Sequence, residues 1–189
     1  MYKRGMIYKS TPRDVEEYNL PKFVKLKILS EKDIEEDKFL SKRKENLLKL
    51  LKQKHIGFGL YDTIKRQFFA YAWIASERDS TPPPHMKEMP KDSFWDHFTR
   101  VSEDYQGHGY QKILIQERRK YLENLYGKDI VIYSDTSVDN IPSRKNILRS
   151  GFKEYGTYIT VRIGTERTKH LYYHCFFWNK DKEHPPISV

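Results

Sequence analysis

The chain carries one cysteine in 189 residues, so no disulfide can form within it. That residue, Cys175, sits inside the apolar run Leu171 to Trp178 and reads as a half-buried thiol. Nowhere does an apolar run approach the roughly 20 residues of a membrane-spanning helix. The opening, MYKRGMIYKS, is charged and lacks the apolar stretch of about 7 to 15 residues that a secretory leader needs. A cytoplasmic protein with no membrane partner is the expectation. There is no Gly-Lys-Ser/Thr phosphate loop, and Cys175 lacks the elbow that would make it a nucleophile. The chain has no Cys-x-x-Cys. Of its seven histidines (55, 85, 97, 108, 170, 174 and 184), only His170 and His174 share a helix-like spacing, and they lie in a strand-like segment. No metal cofactor is therefore expected.

What is present suits one folded domain. Hydrophobic residues make up 38% and aromatics 14%, with the aromatics spread from Tyr8 to Trp178, and a core can be filled despite 32% charged residues. The length is that of a single domain covering 1–189, with 1–22 as an N-terminal extension. Lys and Arg number 35 against 26 Asp and Glu, a net charge of +9. The basic residues come in scattered groups beside acids, such as Lys42 to Lys44 and Arg118 to Lys120, as on solvated helix faces. This distribution argues against nucleic acid as a partner and is compatible with attraction of a polyanionic small ligand.

Periodicity orders the elements. Phe23 to Leu29 alternates as a half-buried strand, and Ser30 with Asp33 forms a capping box for a first helix. Ser41 is expected to cap a second helix with Leu47, Leu48, Leu50 and Leu51 on its face. HIGFGLYD and QFFAYAWIAS read as an antiparallel pair around a turn at Thr63 to Arg66. Ser80 to Pro90, with four prolines, is a loop on the rim of a substrate cleft. Phe94 to Val101 is a fourth strand, Gln106 to Tyr126 a helix ended by Gly127, and Ile130 to Tyr133 a fifth strand. A short helix from Asn140 to Ser150 ends at Gly151, and strands near 155–163 and 171–178 complete the chain.

The segment VSEDYQGHGYQ, Val101 to Gln111, places a strand end, an acidic loop and two glycines immediately before a helix. A helix N-terminus offers unbonded amides and a positive dipole end, and glycine leaves an anion room to reach them. A phosphate turn and a plain tight turn both fit that pattern. Some thirty residues later, DNIPSRKNILRSGF sets Asn140 after a strand end and Gly151-Phe152 at the close of a helix.

Together the two segments resemble the GNAT superfamily of N-acetyltransferases. The family signature reads Gln or Arg, two residues, Gly, one residue, Gly or Ala; here it is Gln106, Gly107, His108, Gly109, Tyr110 and Gln111. Gln111 stands where a small residue is usual, and its side chain either points away or itself donates a hydrogen bond. The element order agrees from Phe23 to Trp178. The resemblance implies a mixed α/β fold with a mostly antiparallel sheet of six to seven strands, splayed between its fourth and fifth, and about four helices. It implies acetyl-CoA as co-substrate, with the pantetheine arm bonded to Thr99 and Val101 of the fourth strand and the cofactor approached by Asn140 and Ser143. The partner is an amine-bearing acceptor (a small molecule, a sugar or a protein), and a homodimer is compatible with the resemblance.

Acetyl transfer by direct attack needs a base for the ammonium, a donor for the oxyanion and a proton for the thiolate. Asp96 and His97 on the fourth strand are the candidate bases, only one of which can face the cleft, because successive strand residues point to opposite sides. The tyrosine that supplies the acid in many members is replaced here by Ile147, with Tyr133 and Tyr105 as substitutes. Two rival readings are an acyl-CoA-binding or interaction module without catalysis and a basic nucleic-acid-binding protein.

Overall fold

The computed structural model describes residues 2–10, 20–82, 89–163 and 172–179. They form one eight-stranded sheet in the order β2-β3-β4-β5-β6-β1-β7-β8. The strands are β1 (Tyr2–Ser10), β2 (Val24–Ile28), β3 (Ile56–Asp62), β4 (Gln67–Ser76), β5 (Ser93–Val101), β6 (Val131–Ser137), β7 (Phe152–Ile163) and β8 (Tyr172–Asn179). The helices are α1 (Glu31–Glu36), α2 (Lys44–Lys52), α3 (Tyr110–Tyr126) and α4 (Ile141–Arg149). All pairings are antiparallel except that of β5 with β6. The expected class, helix count and mostly antiparallel sheet are present. The extra strand is β1.

β1 corrects the reading of 1–22 as an extension. It runs inside the sheet, with Ile7 opposite Asp135 of β6 on one side and Met6 opposite Thr157 of β7 on the other. Ile7 and Tyr8 are both buried, one toward each face of the sheet. A strand covered on both faces over so few residues carries no period-2 signal, and the flanking lysines and arginine mask it.

The two faces of the sheet are covered differently. On one face α3 and α4 bring Leu114, Ile115, Leu122 and Ile147 against Phe58, Leu60, Ala72, Ile74 and Phe94. On the other, Ile34, Leu40 and Leu47 of the α1–α2 region cover Tyr71 and Trp73 of β4. α1 begins at the expected capping box, with Asp33 N–H donating to Ser30 Oγ at 3.2 Å and Ser30 N–H to the Asp33 carboxylate at 2.9 Å. The expected cap of α2 moves: Ser41 starts a single 3-10 turn, and the helix opens at Lys44 after Arg43 without a side-chain cap. α3 starts four residues later than expected, because a 3-10 turn at Glu103–Tyr105 and the two glycines precede it.

Candidate active site

β5 and β6 pair in parallel only from Ser93 opposite Val131 to Asp96 opposite Ser134. Beyond that point no described strand pairs with the β6-facing edge of β5. The two strands separate around a cleft of about 740 Å³, lined by Asp96 to Val101, the turn from Tyr105 to Gln111 apart from His108, Ser134 to Thr136 and most of α4. At its branch point β5 bulges. Tyr71 is opposite Arg100 and Trp73 opposite His97, so β5 carries one residue more than β4 there, and Phe98 takes φ +53°. The extra residue re-aims the strand so that Thr99 and Val101 rejoin the α3 face.

At the far end of the cleft, Gly107 (φ +80°) and Gly109 (φ +78°) turn the chain into α3 in the left-handed region that glycine tolerates best. A Cβ on either would meet nothing within 4 Å, so it is the backbone conformation, with open space beside it, that calls for glycine. The amides of Tyr105 and Gln106 are bonded to Ser102 O and Glu103 O. Among the described residues, those from Gly107 to Gln111 donate to no backbone carbonyl. Five adjacent N–H groups at the positive end of a 17-residue helix thus lack a backbone acceptor among the described residues, an arrangement that fits a diphosphate.

The cleft cuts through the sheet, so both candidate bases line it, from opposite faces. Asp96 faces α3. Its carboxylate meets Arg118 twice, Oδ1 to Nη1 at 2.7 Å and Oδ2 to Nη2 at 2.8 Å, and both residues are almost fully buried. Burial pushes the carboxyl up to about 6, against the pull of Arg118 and with a smaller push from Asp135. Arg118 also donates to Leu114 O and Thr99 Oγ1, which ties α3 to β5 beneath the cleft. His97 is half-buried on the opposite face, in register with Trp73. Its Nε2 lies 2.9 Å from Nδ1 of the buried His55, whose Nε2 lies 2.7 Å from Thr81 O. On the β6 side of the split, Asp135 accepts from Trp95 Nε1 at 2.8 Å and from Tyr158 OH at 2.6 Å.

No family model and no curated protein matches the chain. Solved structures do. A tandem GNAT protein from the clavulanic acid biosynthesis pathway superposes with a TM-score of 0.61 at 14% identity, covering 83% of this chain and 52% of that one. An acetyltransferase from the GNAT family of Colwellia psychrerythraea gives 0.54 at 14% identity over 84% and 55%. AAC(6')-Iy in complex with the bisubstrate analog CoA-S-monomethyl-acetylneamine gives 0.50 at 16% identity over 69% and 91%. The chain has the GNAT fold. It spans about half the length of the first two.

Within this GNAT fold the residues singled out in the sequence fall as follows. Thr99, Val101, Gln106, Gly107, Gly109, Tyr110, Gln111, Asn140 and Ser143 all line the cleft. His108 stands outside the lining, exposed, its ring bonded to Gln106 O at 2.8 Å. Val101 O accepts from Gln106 Nε2 at 3.2 Å, so that edge carbonyl is already engaged. Gln111 does not crowd the turn: its Nε2 donates to Ser143 Oγ at 3.0 Å and its Oε1 accepts from Asn146 Nδ2 at 2.9 Å, clasping α3 to α4. Asn140 caps α4 through Ser143 N–H at 3.3 Å.

Tyr133, a candidate acid, is placed elsewhere. It is buried on the face away from α3, stacked on Trp95 with ring centroids 5.7 Å apart, and does not line the cleft. Alternation along β6 explains this, because its neighbour Ser134 takes the α3 side of the cleft. Tyr105 lines the cleft, but its hydroxyl donates to Asp62 Oδ2 at 2.7 Å, and burial together with that carboxylate raises its pKa. Ile147 is buried in the α3-side core. Two residues the sequence reading missed, His55 and Asp135, lie beside the split on the face opposite α3, 42 and 38 positions from His97, and no local pattern marks them. The Pro-rich loop lies outside the described residues at 83–88.

Proposed function

We propose that the chain is an acetyl-CoA-dependent N-acetyltransferase. The observation carrying this reading is the coincidence, in one cleft, of an unpaired strand edge on β5 with the open amides of Gly107 to Gln111. An added strand-like amide chain fits the first, and a diphosphate fits the second. Residues Thr99 and Val101 N–H would hold the pantetheine arm, and the turn would hold the diphosphate. Thioester carbon would then lie near the bulge at Phe98, with His97 on the face opposite α3.

The acceptor approaches from that face, past the exposed ring of Phe98, which lies 6.1 Å from the buried ring of Tyr71. The amine nitrogen attacks the thioester carbon, its N–H proton passes to His97, and the C–S bond breaks with its electron pair on sulfur. Solvent returns a proton to the thiolate. No tyrosine is needed for that last step, in keeping with Ile147 and with the engaged hydroxyl of Tyr105.

Gly109→Asp tests the donor site. A carboxylate about 5 Å from one phosphate charge costs about 3 kcal/mol near a protein surface, so the Kd for acetyl-CoA should rise about 100-fold. Gly109→Ala imposes the same left-handed conformation, at about 1 to 2 kcal/mol of stability, without the charge; its Kd should change less than about tenfold. Calorimetric titration of both variants separates the two effects, and wild-type affinity in Gly109→Asp would remove the diphosphate from this turn. Thiol release across a panel of small amines, amino sugars and peptides then tests turnover; tight binding with only background release would favour a non-catalytic acyl-CoA-binding module.

A further inference from the structure

We propose that His55 is a positioning residue that fixes the ring orientation of His97 and holds a hydrogen on its Nε2, so that in the neutral ring the lone pair lies on Nδ1. The inference rests on the acetyltransferase reading only for its catalytic consequence, and the hydrogen bonds behind it are independent of that reading.

The tautomers follow from one atom that cannot donate. Thr81 O is a backbone carbonyl and only accepts, so His55 Nε2, 2.7 Å away, must carry a hydrogen. His55 is buried, and burial lowers its pKa against the opposing effect of the Thr81 bond, which keeps the ring neutral at neutral pH. A neutral imidazole with hydrogen on Nε2 has its lone pair on Nδ1. The 2.9 Å contact from that Nδ1 to His97 Nε2 is then a bond in which His97 donates. A neutral His97 whose hydrogen is on Nε2 has its lone pair on Nδ1. The carbonyl thus dictates the state of a ring two bonds away, and the near-perpendicular packing of the two rings, 84° at 4.9 Å, fixes the plane of His97.

The same chain of bonds favours proton uptake. When His97 takes a proton on Nδ1, its Nε2–H becomes a charged donor, and charge-assisted hydrogen bonds are about twice as strong as neutral ones. The acceptor, His55 Nδ1, is already oriented by a bond to the main chain and needs no reorganisation. The arrangement parallels the carboxylate that orients the histidine of a hydrolase triad, with a neutral imidazole and a carbonyl in place of the acid. His55 touches neither donor nor acceptor in this scheme and acts only through His97.

Long-range proton–nitrogen spectra of the full chain, uniformly labelled with nitrogen-15 and recorded above the titration of both rings, read the tautomers directly. Both His55 and His97 should be in the Nε2–H form. In His55→Phe the His97 ring should become a mixture of tautomers, and kcat should fall about tenfold with the Kd for acetyl-CoA unchanged. In His55→Asn the side-chain carbonyl can stand near the position of Nδ1 and accept from His97, so the Nε2–H form and most of kcat should return. A His97 ring protonated on Nδ1 in the wild type, or a His97 signal that ignores His55→Phe, would overturn the proposal. So would a changed tautomer with unchanged kcat. If the wild-type rings are as stated while no amine yields thiol release, the acetyltransferase reading fails and the His55–His97 bond stands. The wild-type spectrum alone decides the tautomers, so the test survives a variant that does not fold.

Discussion

Replacing His97 by alanine is expected to lower kcat by about 10²- to 10⁴-fold while leaving the affinity for acetyl-CoA unchanged. That range is what a positioned base contributes when it removes a proton in the transition state. The split between kcat and donor affinity follows from where the residue sits. His97 lies at the branch point of β5 and β6 on the face opposite α3, whereas the open amides that fit the diphosphate are at the start of α3. Loss of the ring removes no donor contact. It also leaves His55 with an unmatched Nδ1 in a buried site, so a modest drop in melting temperature should accompany the kinetic loss. Saturation kinetics with the best acceptor, together with calorimetry of acetyl-CoA binding, measure both. A variant with wild-type kcat would shift the proposed base to Asp135, which lines the cleft on the β6 side of the split.

Asp96→Ala should destabilise the fold by about 3 to 5 kcal/mol, because it leaves the guanidinium of Arg118 buried without its partner. For a domain of this length that corresponds to a melting temperature lower by roughly 6 to 20 °C. The pair itself is expensive, however. The carboxyl of Asp96 is raised from 3.8 to about 6 in the folded protein because burial outweighs the attraction of Arg118. A raised folded pKa means that this group's contribution to stability is fully present below about 3.8 and is lost as pH rises through 6, a change of about 3 kcal/mol. Exchanging both partners, Asp96→Leu with Arg118→Met, removes the buried charges together. That double variant should match or exceed wild-type stability at pH 7 and should flatten the dependence between pH 4 and 6. Thermal melts across that interval test both effects; a double variant as unstable as Asp96→Ala would mean that the cost lies in packing and not in charge. The Arg118 bonds to Leu114 O and Thr99 Oγ1 explain why so costly a pair belongs here: it sets α3 against β5 where the sheet begins to open.

Much of the fold was legible because its elements announce themselves locally. The capping box at Ser30 and Asp33, the turn at Thr63 to Arg66, Gly127 at the end of α3 and Asn140 at the start of α4 all depend on residues within four positions of each other. The turn at Gly107 and Gly109 was legible for the same reason: left-handed backbone before a helix is written in residue type. β1 was not, since a strand buried on both faces is defined by its neighbours, β6 and β7, which lie more than 120 residues away in the chain. The bulge at Phe98 was equally hidden, and it decides which side chains beyond His97 face α3.

From residue order alone came the element succession and the glycine turn before α3, while the two candidate bases on one strand came with the family resemblance. Tertiary packing alone assigned Asp96 to Arg118 and His97 to His55, moved Tyr133 into the core, and turned Gln111 into a clasp between α3 and α4. The physical reason is range. Dihedral preference and capping act over a few residues, so they are readable along the chain, whereas the burial of a charge and the tautomer of a ring are set by partners dozens of positions distant that only the folded sheet brings within 3 Å.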